Sequence, residues 1–241
     1  MNRILFEADE LAADGHVAFG GIRAEHVLTV LHGEVGQTLK TGIVNGPIGT
    51  SVIERIEGET VTVRCVHDRE ALPPWIDLVL APPRPRVMKR LLPQLASMGV
   101  GRIVLVGAAK VEKAFWGAQL LKEEVYRPLL VDGLMQAGTT ALPTIQTERA
   151  FGRWLEGGRF EEQFGGQTDR IVAHPGAVAG RGRPACGGTG RPVLAIGPEG
   201  GWTDDEVARL EAHGFRRYSL GSRILRTDTA TIALLARLMS P

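Results

Sequence analysis

The chain has 241 residues, is 44% apolar, and sets 28 basic side chains against 27 acidic ones for a net charge of +1. This allows one large domain, or a small one beside a medium one, and excludes a disordered chain. Near-neutrality excludes a global attraction to polyanions, so a nucleic-acid partner would need a local basic patch.

Cys65 and Cys186 are the only cysteines and form no Cys-x-x-Cys pair. That points to a reducing compartment and gives no support to a thiolate metal site, so no metal is expected. Acidic Glu7, Asp9 and Glu10 arrive before any long apolar stretch, unlike a secretory signal, and no apolar run is long enough to span a bilayer. The expectation is a soluble, cytoplasmic protein without membrane contacts.

From about residue 15 to 66 the chain reads as short strands between turns. Val27–Leu31, Gln37–Gly42, Ile43–Gly46, Ser51–Ile53 and Thr60–Val63 are separated by Gly and Asn punctuation. Such spacing predicts a small β-barrel, and we place a first domain at residues 1–72. Leu72-Pro73-Pro74 reads as a linker, since consecutive prolines neither continue a helix nor pair in a central strand.

Residues 75–241 change rhythm. Ile76–Leu80 reads as a buried strand, Val87–Met98 as a helix interrupted by Pro93 and ended by Gly99, and Arg102–Val106 as the next strand. Gln119–Gln136 is helical in period, and Ile171–Ala173 and Val193–Ile196 are further apolar strands. Alternation of this kind predicts an α/β domain with a mostly parallel sheet. The Gly-, Arg- and Pro-rich stretch Gly176–Pro192 reads as a loop and lacks the ending of a phosphate-binding P-loop.

Chemistry concentrates in the last fifty residues. The strand ending at Ile196 runs into Gly197-Pro198-Glu199-Gly200-Gly201, then Trp202-Thr203-Asp204-Asp205-Glu206-Val207. Thr203 and Glu206 have capping-box spacing and Trp202 and Val207 the spacing of a hydrophobic staple, so a helix begins near Asp204 and ends near Gly214. Glycines between a strand end and a helix start lie where open α/β sheets bind ligands, although a tight turn alone also uses them. Gly-x-Gly-x-x-Gly is absent and Pro198 removes an amide, so the loop suits a neutral nucleoside better than a pyrophosphate. A second unit follows: Phe215–Leu220 reads as a strand, Gly221-Ser222-Arg223-Ile224-Leu225-Arg226 as a loop, and a final helix capped by Thr227 or Asp228 runs to about Leu238. Basic residues crowd two stretches, Arg84, Arg86, Lys89 and Arg90, and Arg216, Arg217, Arg223 and Arg226. Each reads either as an RNA contact or as solvated surface.

Ile196-Gly197-Pro198-Glu199-Gly200-Gly201, followed by Leu220-Gly221-Ser222-Arg223-Ile224-Leu225-Arg226-Thr227-Asp228-Thr229-Ala230, resembles the knotted (SPOUT-type) RNA methyltransferases. More narrowly it is similar to the ribosomal RNA small subunit methyltransferase E family, the 16S rRNA uracil-N3 methyltransferases. Weaker likeness lies in His26-Val27-Leu28, Gly33, Gly99-Val100, Lys110–Lys113 and His174-Pro175. The resemblance implies a PUA-like RNA-binding barrel, an α/β domain with a deep trefoil knot, and a homodimer. It also implies S-adenosylmethionine as cofactor and 16S rRNA of the small ribosomal subunit as partner. By the motif match, Ile196, Gly197, Pro198, Glu199, Gly200, Gly201, Leu220, Gly221, Ile224 and Leu225 would line the cofactor pocket. The chain departs from the family pattern at Ser97 and Met135, where an acidic residue is common, and at Asp228-Thr229-Ala230, where Glu usually precedes the alanine.

For methylation of uracil N3, Arg226 is the candidate to stabilise charge spreading onto the ring carbonyls, with a phosphate clamp as its alternative. Asp228 is a candidate base or orienter of that arginine, with a helix cap as its alternative. Glu199 either meets the sulfonium or a substrate group, or sits by a helix N-terminus. His174, Trp116 and Trp202 read as structural. Ile232, Leu234, Leu235 and Leu238 of the final helix offer a dimer face or pack within one protomer. A knotted methyltransferase acting on ribose 2′-oxygen and a non-catalytic RNA-binding assembly factor remain the alternatives.

Overall fold

The computed structural model describes residues 2–167, 169–175 and 190–239. It divides into two units, Met1–Pro73 with Leu130–Leu142, and Pro74–Leu129 with Pro143–Pro241.

In the first unit, β1 (Ile4–Phe6), β2 (His16–Phe19), β3 (Thr38–Ile43), β4 (Ile48–Glu57) and β5 (Thr60–Arg69) form one sheet in the order β1-β3-β4-β5-β2. Period-two patterning sets its faces: Ser51 and Ile53 of β4 and Val61 and Val63 of β5 point into the core with Phe6, Phe19 and Leu39. A polar thread crosses it, with Thr41 Oγ1 2.6 Å from Ser51 Oγ and 2.8 Å from His67 Nε2. Three strand expectations change here. Val27–Leu31 is not a strand: α1 (Gly21–Glu25) runs into a π-helical turn at His26–Val30. Ala24 and Val27, three apart, are the buried pair, so the β-branched run follows a helical burial period. Residues expected as two strands on either side of Gly42 join as β3, since Ile43 keeps pairing register and the chain turns only at Asn45 (φ 57°).

The second unit is α/β, as expected. Its strands are β6 (Ile76–Leu80), β7 (Val100–Val106), β8 (Thr144–Glu148), β9 (Arg170–Ala173), β10 (Val193–Ile196) and β11 (Phe215–Tyr218). They lie in the order β11-β9-β10-β6-β7-β8, every neighbouring pair parallel. Between them run α2 (Pro85–Ser97), α3 (Glu123–Ala137, counted with the first unit from Leu130 on), α4 (Phe151–Glu156), α5 (Arg159–Phe164), α6 (Asp204–Ala212) and the terminal α7 (Thr227–Leu238). α2 starts two residues before the expected position because Pro85 occupies its first turn, where a missing N–H costs nothing. The segment expected as one helix from Gln119 begins with a 3₁₀ turn at Gln119–Leu121, and α3 starts only at Glu123.

One face of this sheet buries Val79, Val104, Val172 and Ala195 against Phe151, Trp154, Phe160, Val207 and Leu210 of α4, α5 and α6. The alternate residues Leu78, Leu80, Ile103, Leu105 and Leu194 are equally buried on the other face, and α2 and α7 pack against each other. Leu234, Leu235 and Leu238 of α7 are at most 2% exposed within one chain. They are core residues and not the open dimer face they were a candidate for. Most of the Gly176–Pro192 loop and Cys186 lie outside the described residues. Where description resumes, Arg191 forms a fork to buried Asp77, Nε to Oδ1 at 3.0 Å and Nη2 to Oδ2 at 3.1 Å. Among the described residues no helix is long and apolar enough to cross a membrane.

Candidate functional site

Parallel strands β9, β10 and β11 end side by side at Ala173, Ile196 and Tyr218, and all three residues line one cavity of about 390 Å³. That volume is in the range of small-molecule sites, and its position at the carboxyl ends of the strands is where open α/β sheets hold ligands. All ten residues expected around a cofactor line it: Ile196 to Gly201 from the β10–α6 turn, and Leu220, Gly221, Ile224 and Leu225 from the β11–α7 loop. Thr227, Ala230 and Leu234 of α7 close another side.

The β10–α6 turn is held at four points. The Gly201 amide donates to Pro198 O (2.8 Å), with Gly201 at φ +69°, which favours glycine. Lys110 Nζ donates to Gly200 O at 2.8 Å. Glu199 Oε1 accepts from the Arg84 amide at 2.9 Å. Trp202, 6% exposed, packs on Phe151 with ring centroids 5.5 Å apart.

The expected capping box at the start of α6 is present. Thr203 Oγ1 accepts from the Glu206 amide (3.2 Å), while Glu206 Oε2 accepts from the Thr203 amide (2.8 Å). Glu206 does more than cap, because its other oxygen accepts from the Ala109 amide at 2.7 Å. Loop 107–112 is thus tied to the ligand-side turn from both directions, through Glu206 and through Lys110. Neither link has a sequence-local signature, although Lys110 fell within a stretch of weak family likeness.

The two turn glycines have different constraints. A Cβ on Gly197 would lie 3.0 Å from Trp202 N and 3.1 Å from its ring Cδ1, whereas one on Gly200 would lie 3.0 Å from Lys110 Cδ. In the first case the neighbour is a packed indole and backbone, in the second a long flexible side chain. Gly197 is therefore needed first to let Trp202 pack, and only through that to shape the cavity. Glu199 meets a backbone amide, which makes it a strap between the turn and the start of α2.

Arg226 is exposed and stands at the N-cap of α7, between the cavity-lining residues Leu225 and Thr227. The cap thus falls one residue before Thr227 and two before Asp228, the two expected positions. Asp228 does not orient Arg226. Its Oδ2 is 3.1 Å from Nη2 of Arg90, and its Oδ1 accepts from the Thr229 amide at 2.9 Å. His174 lines the cavity beside Pro175, and its amide donates to Tyr218 O at 3.1 Å, a role that ties β9 to β11. Among the described residues no group of three or more His, Cys, Asp or Glu could hold a metal ion.

Residues 70–239 match the RNA methyltransferase domain family. The ribosomal RNA small subunit methyltransferase E of Treponema pallidum is 32% identical over 98% of this chain and 90% of its own length. A Legionella pneumophila methyltransferase, solved in complex with the cofactor SAM, superposes with a TM-score of 0.74 at 24% identity, covering 98% of this chain and 96% of that one. The ribosomal RNA small subunit methyltransferase E of Neisseria gonorrhoeae, bound to S-adenosyl methionine, gives a TM-score of 0.75 at 21% identity over 98% and 95%.

Proposed function

The chain belongs to the ribosomal RNA small subunit methyltransferase E family, and from that premise we propose that it transfers the methyl group of S-adenosylmethionine to N3 of a uridine in 16S rRNA. Methylation of rRNA is the family's activity. The observation that carries the rest is the single cavity into which both glycine loops fold at the ends of β9, β10 and β11. Its walls fit the proposed cofactor: backbone amides and carbonyls from glycine turns, apolar Ile196, Leu220 and Leu225, and, among the described residues, no cluster of cations of the kind a polyphosphate needs. When bound, S-adenosylmethionine supplies a sulfonium methyl whose S–C bond breaks as the N3–C bond forms.

The chain's own residues then have three tasks. The glycine turn and Leu220–Leu225 fix the donor, which converts a bimolecular encounter into a positioned one. The N3 proton must leave before attack, and the negative charge then spreads over the flanking carbonyl oxygens. Arg226, exposed at the cavity edge, is the group we assign to that charge. Asp228 is reached by the same argument as a proton acceptor, but its ion pair with Arg90 makes orienting the α2–α7 edge its better-supported role.

We assign RNA capture to residues 1–72, as a PUA-like barrel, and catalysis to residues 75–241. The insertion of β10 between β6 and β9, with β11 outside β9, supports a deep trefoil knot in that second domain. The proposal includes a homodimer in the cytoplasm. Since the α7 leucines are internal, Ile224, 88% exposed on the cavity loop, is an apolar group that a second copy could cover.

The test is nucleoside mass spectrometry of 16S rRNA from a strain lacking the gene, followed by treatment of its small subunits with the purified protein. The expected result is loss and restoration of 3-methyluridine. Loss of a 2′-O-methyl nucleoside instead, or no change, overturns the N3 assignment.

A further inference from the structure

We propose that the solvent face of α2, carrying Arg86, Lys89 and Arg90 with Arg84 just before it, is a track for RNA phosphates that presents the substrate strand to the cavity. The inference rests on the rRNA methyltransferase reading and assigns a second RNA-binding surface, on the catalytic unit itself.

α2 is divided sharply by burial. Met88, Leu91, Leu92, Leu95 and Ala96 are at most 2% exposed, whereas Arg84, Arg86, Lys89 and Arg90 are exposed. Arg86, Lys89 and Arg90 stand at i, i+3 and i+4, so they share one face within about 6 Å of helix rise. Residues 82–98 contain four cations and no acidic side chain. In a chain of net charge +1 this is a local segregation of charge.

Two hydrogen bonds fix this stretch to the cavity rim. The Arg84 amide donates to Glu199, which lines the cavity, and Arg90 pairs with Asp228, between cavity residues Thr227 and Ala230. Arg223 lines the cavity from the β11–α7 loop and Arg226 follows it. Cations therefore stand at the rim on two chain segments, and the side chains of Arg84, Arg86, Lys89, Arg223 and Arg226 meet no acid among the described residues.

Many other arginines of the molecule are neutralised: Arg23 by Glu10, Arg170 by Glu161, Arg209 by Asp205 and Arg217 by Glu211. Leaving like charges unpaired within one helical turn is unfavourable in the free protein. The arrangement is explained by a polyanion that supplies the missing charge and releases its condensed counterions on binding. A phosphate backbone fits because the stretch fills no apolar groove and offers only charge. Such contacts set register without reading sequence.

The test uses the full-length protein and the double variant Arg86→Glu/Lys89→Glu. Both residues are exposed and outside the cavity lining, so fold and cofactor binding should not change, as checked by thermal unfolding and calorimetry. Binding to 16S rRNA is measured by filter retention at several salt concentrations, and methylation of undermodified small subunits in parallel. At about 0.1 M salt the variant should bind RNA at least tenfold more weakly and show a raised KM with an unchanged kcat. Its plot of log K against log salt should be shallower by about 1.4, for two single-strand contacts at about 0.7 each.

Arg153→Glu, at an exposed position of α4 on the opposite face of the sheet, controls for net charge against the single Lys89→Glu. Equal losses in the two would overturn the track, as would an unchanged affinity and salt slope in the double variant. Wild-type protein that binds 16S rRNA without methylating it would remove the functional reading. The binding arm would still decide the track.

Discussion

Arg90 Nη2 lies 3.1 Å from Asp228 Oδ2, joining the outer face of α2 to the first turn of α7. Arg90 is largely exposed and Asp228 only partly, so solvent screens the pair and its coupling should be about 0.2–1 kcal/mol. A double-mutant cycle of Arg90→Ala and Asp228→Ala, read by chemical denaturation, measures it. Asp228→Ala should cost more than Arg90→Ala, since Asp228 also sits at a helix N-terminus and accepts from the Thr229 amide. Equal single-variant losses would contradict that second role.

Arg226→Ala separates catalysis from RNA binding. If Arg226 stabilises charge that appears only in the transition state, its loss should lower kcat about a hundredfold with cofactor affinity nearly intact. Single-turnover methylation at saturating enzyme and cofactor is the measurement. An unchanged saturated rate makes Arg226 a binding residue.

Gly197→Val and Gly200→Ala should differ. The first drives a side chain into the backbone and indole of Trp202, displacing a packed group. Cofactor binding by calorimetry should vanish and the tryptophan emission should shift. The second meets only the Lys110 chain, which can swing aside, so affinity should fall less than about tenfold through loss of the Lys110–Gly200 contact. Equal effects would refute the distinction.

Two histidines of the first unit should make its stability depend on pH with opposite signs. The His16 pKa is raised by hydrogen bonds to Glu54 and Asp14, so its contribution is full below about pH 6.5 and is lost as pH rises through the higher folded value. Burial, then the charge of Arg3, lowers the pKa of His67. The unfolded chain then binds the proton more readily, and stability falls as pH drops below about 6.5. His16→Gln should therefore destabilise more at pH 6 than at pH 8. His67→Gln should flatten the acid-side loss, although its absolute cost includes the Thr41 hydrogen bond. Denaturant midpoints across pH 5–8 check both, and parallel curves for wild type and variants would rule them out.

Features that depend on neighbours in sequence were readable without coordinates. The Thr203–Glu206 box, the strand Val193–Ile196 and the end of the last helix at Leu238 follow from spacing, periodicity and capping over a few residues. The two glycine loops were readable as one site through their resemblance to the paired motifs of a known family. β8, α4 and α5 were not, since short polar segments such as Thr144–Glu148 become strands only by pairing with β7. Nor was Val27, whose β-branched surroundings favour a strand until Ala24 and the sheet claim it for a helical face.

Local spacing and composition thus determined the α/β class of the second unit and the absence of a long apolar span, while the family resemblance of the two glycine motifs pointed to the residues that surround the cavity. Tertiary structure alone decided what each of them touches. Glu199 meets the Arg84 amide, Asp228 meets Arg90, Lys110 tethers Gly200, and Gly197 makes room for Trp202. The first two of these pairs stand more than a hundred positions apart in the chain and the third ninety. A hydrogen bond or packing contact at that separation is set by how the strands are ordered in the sheet, and local sequence carries no record of that order.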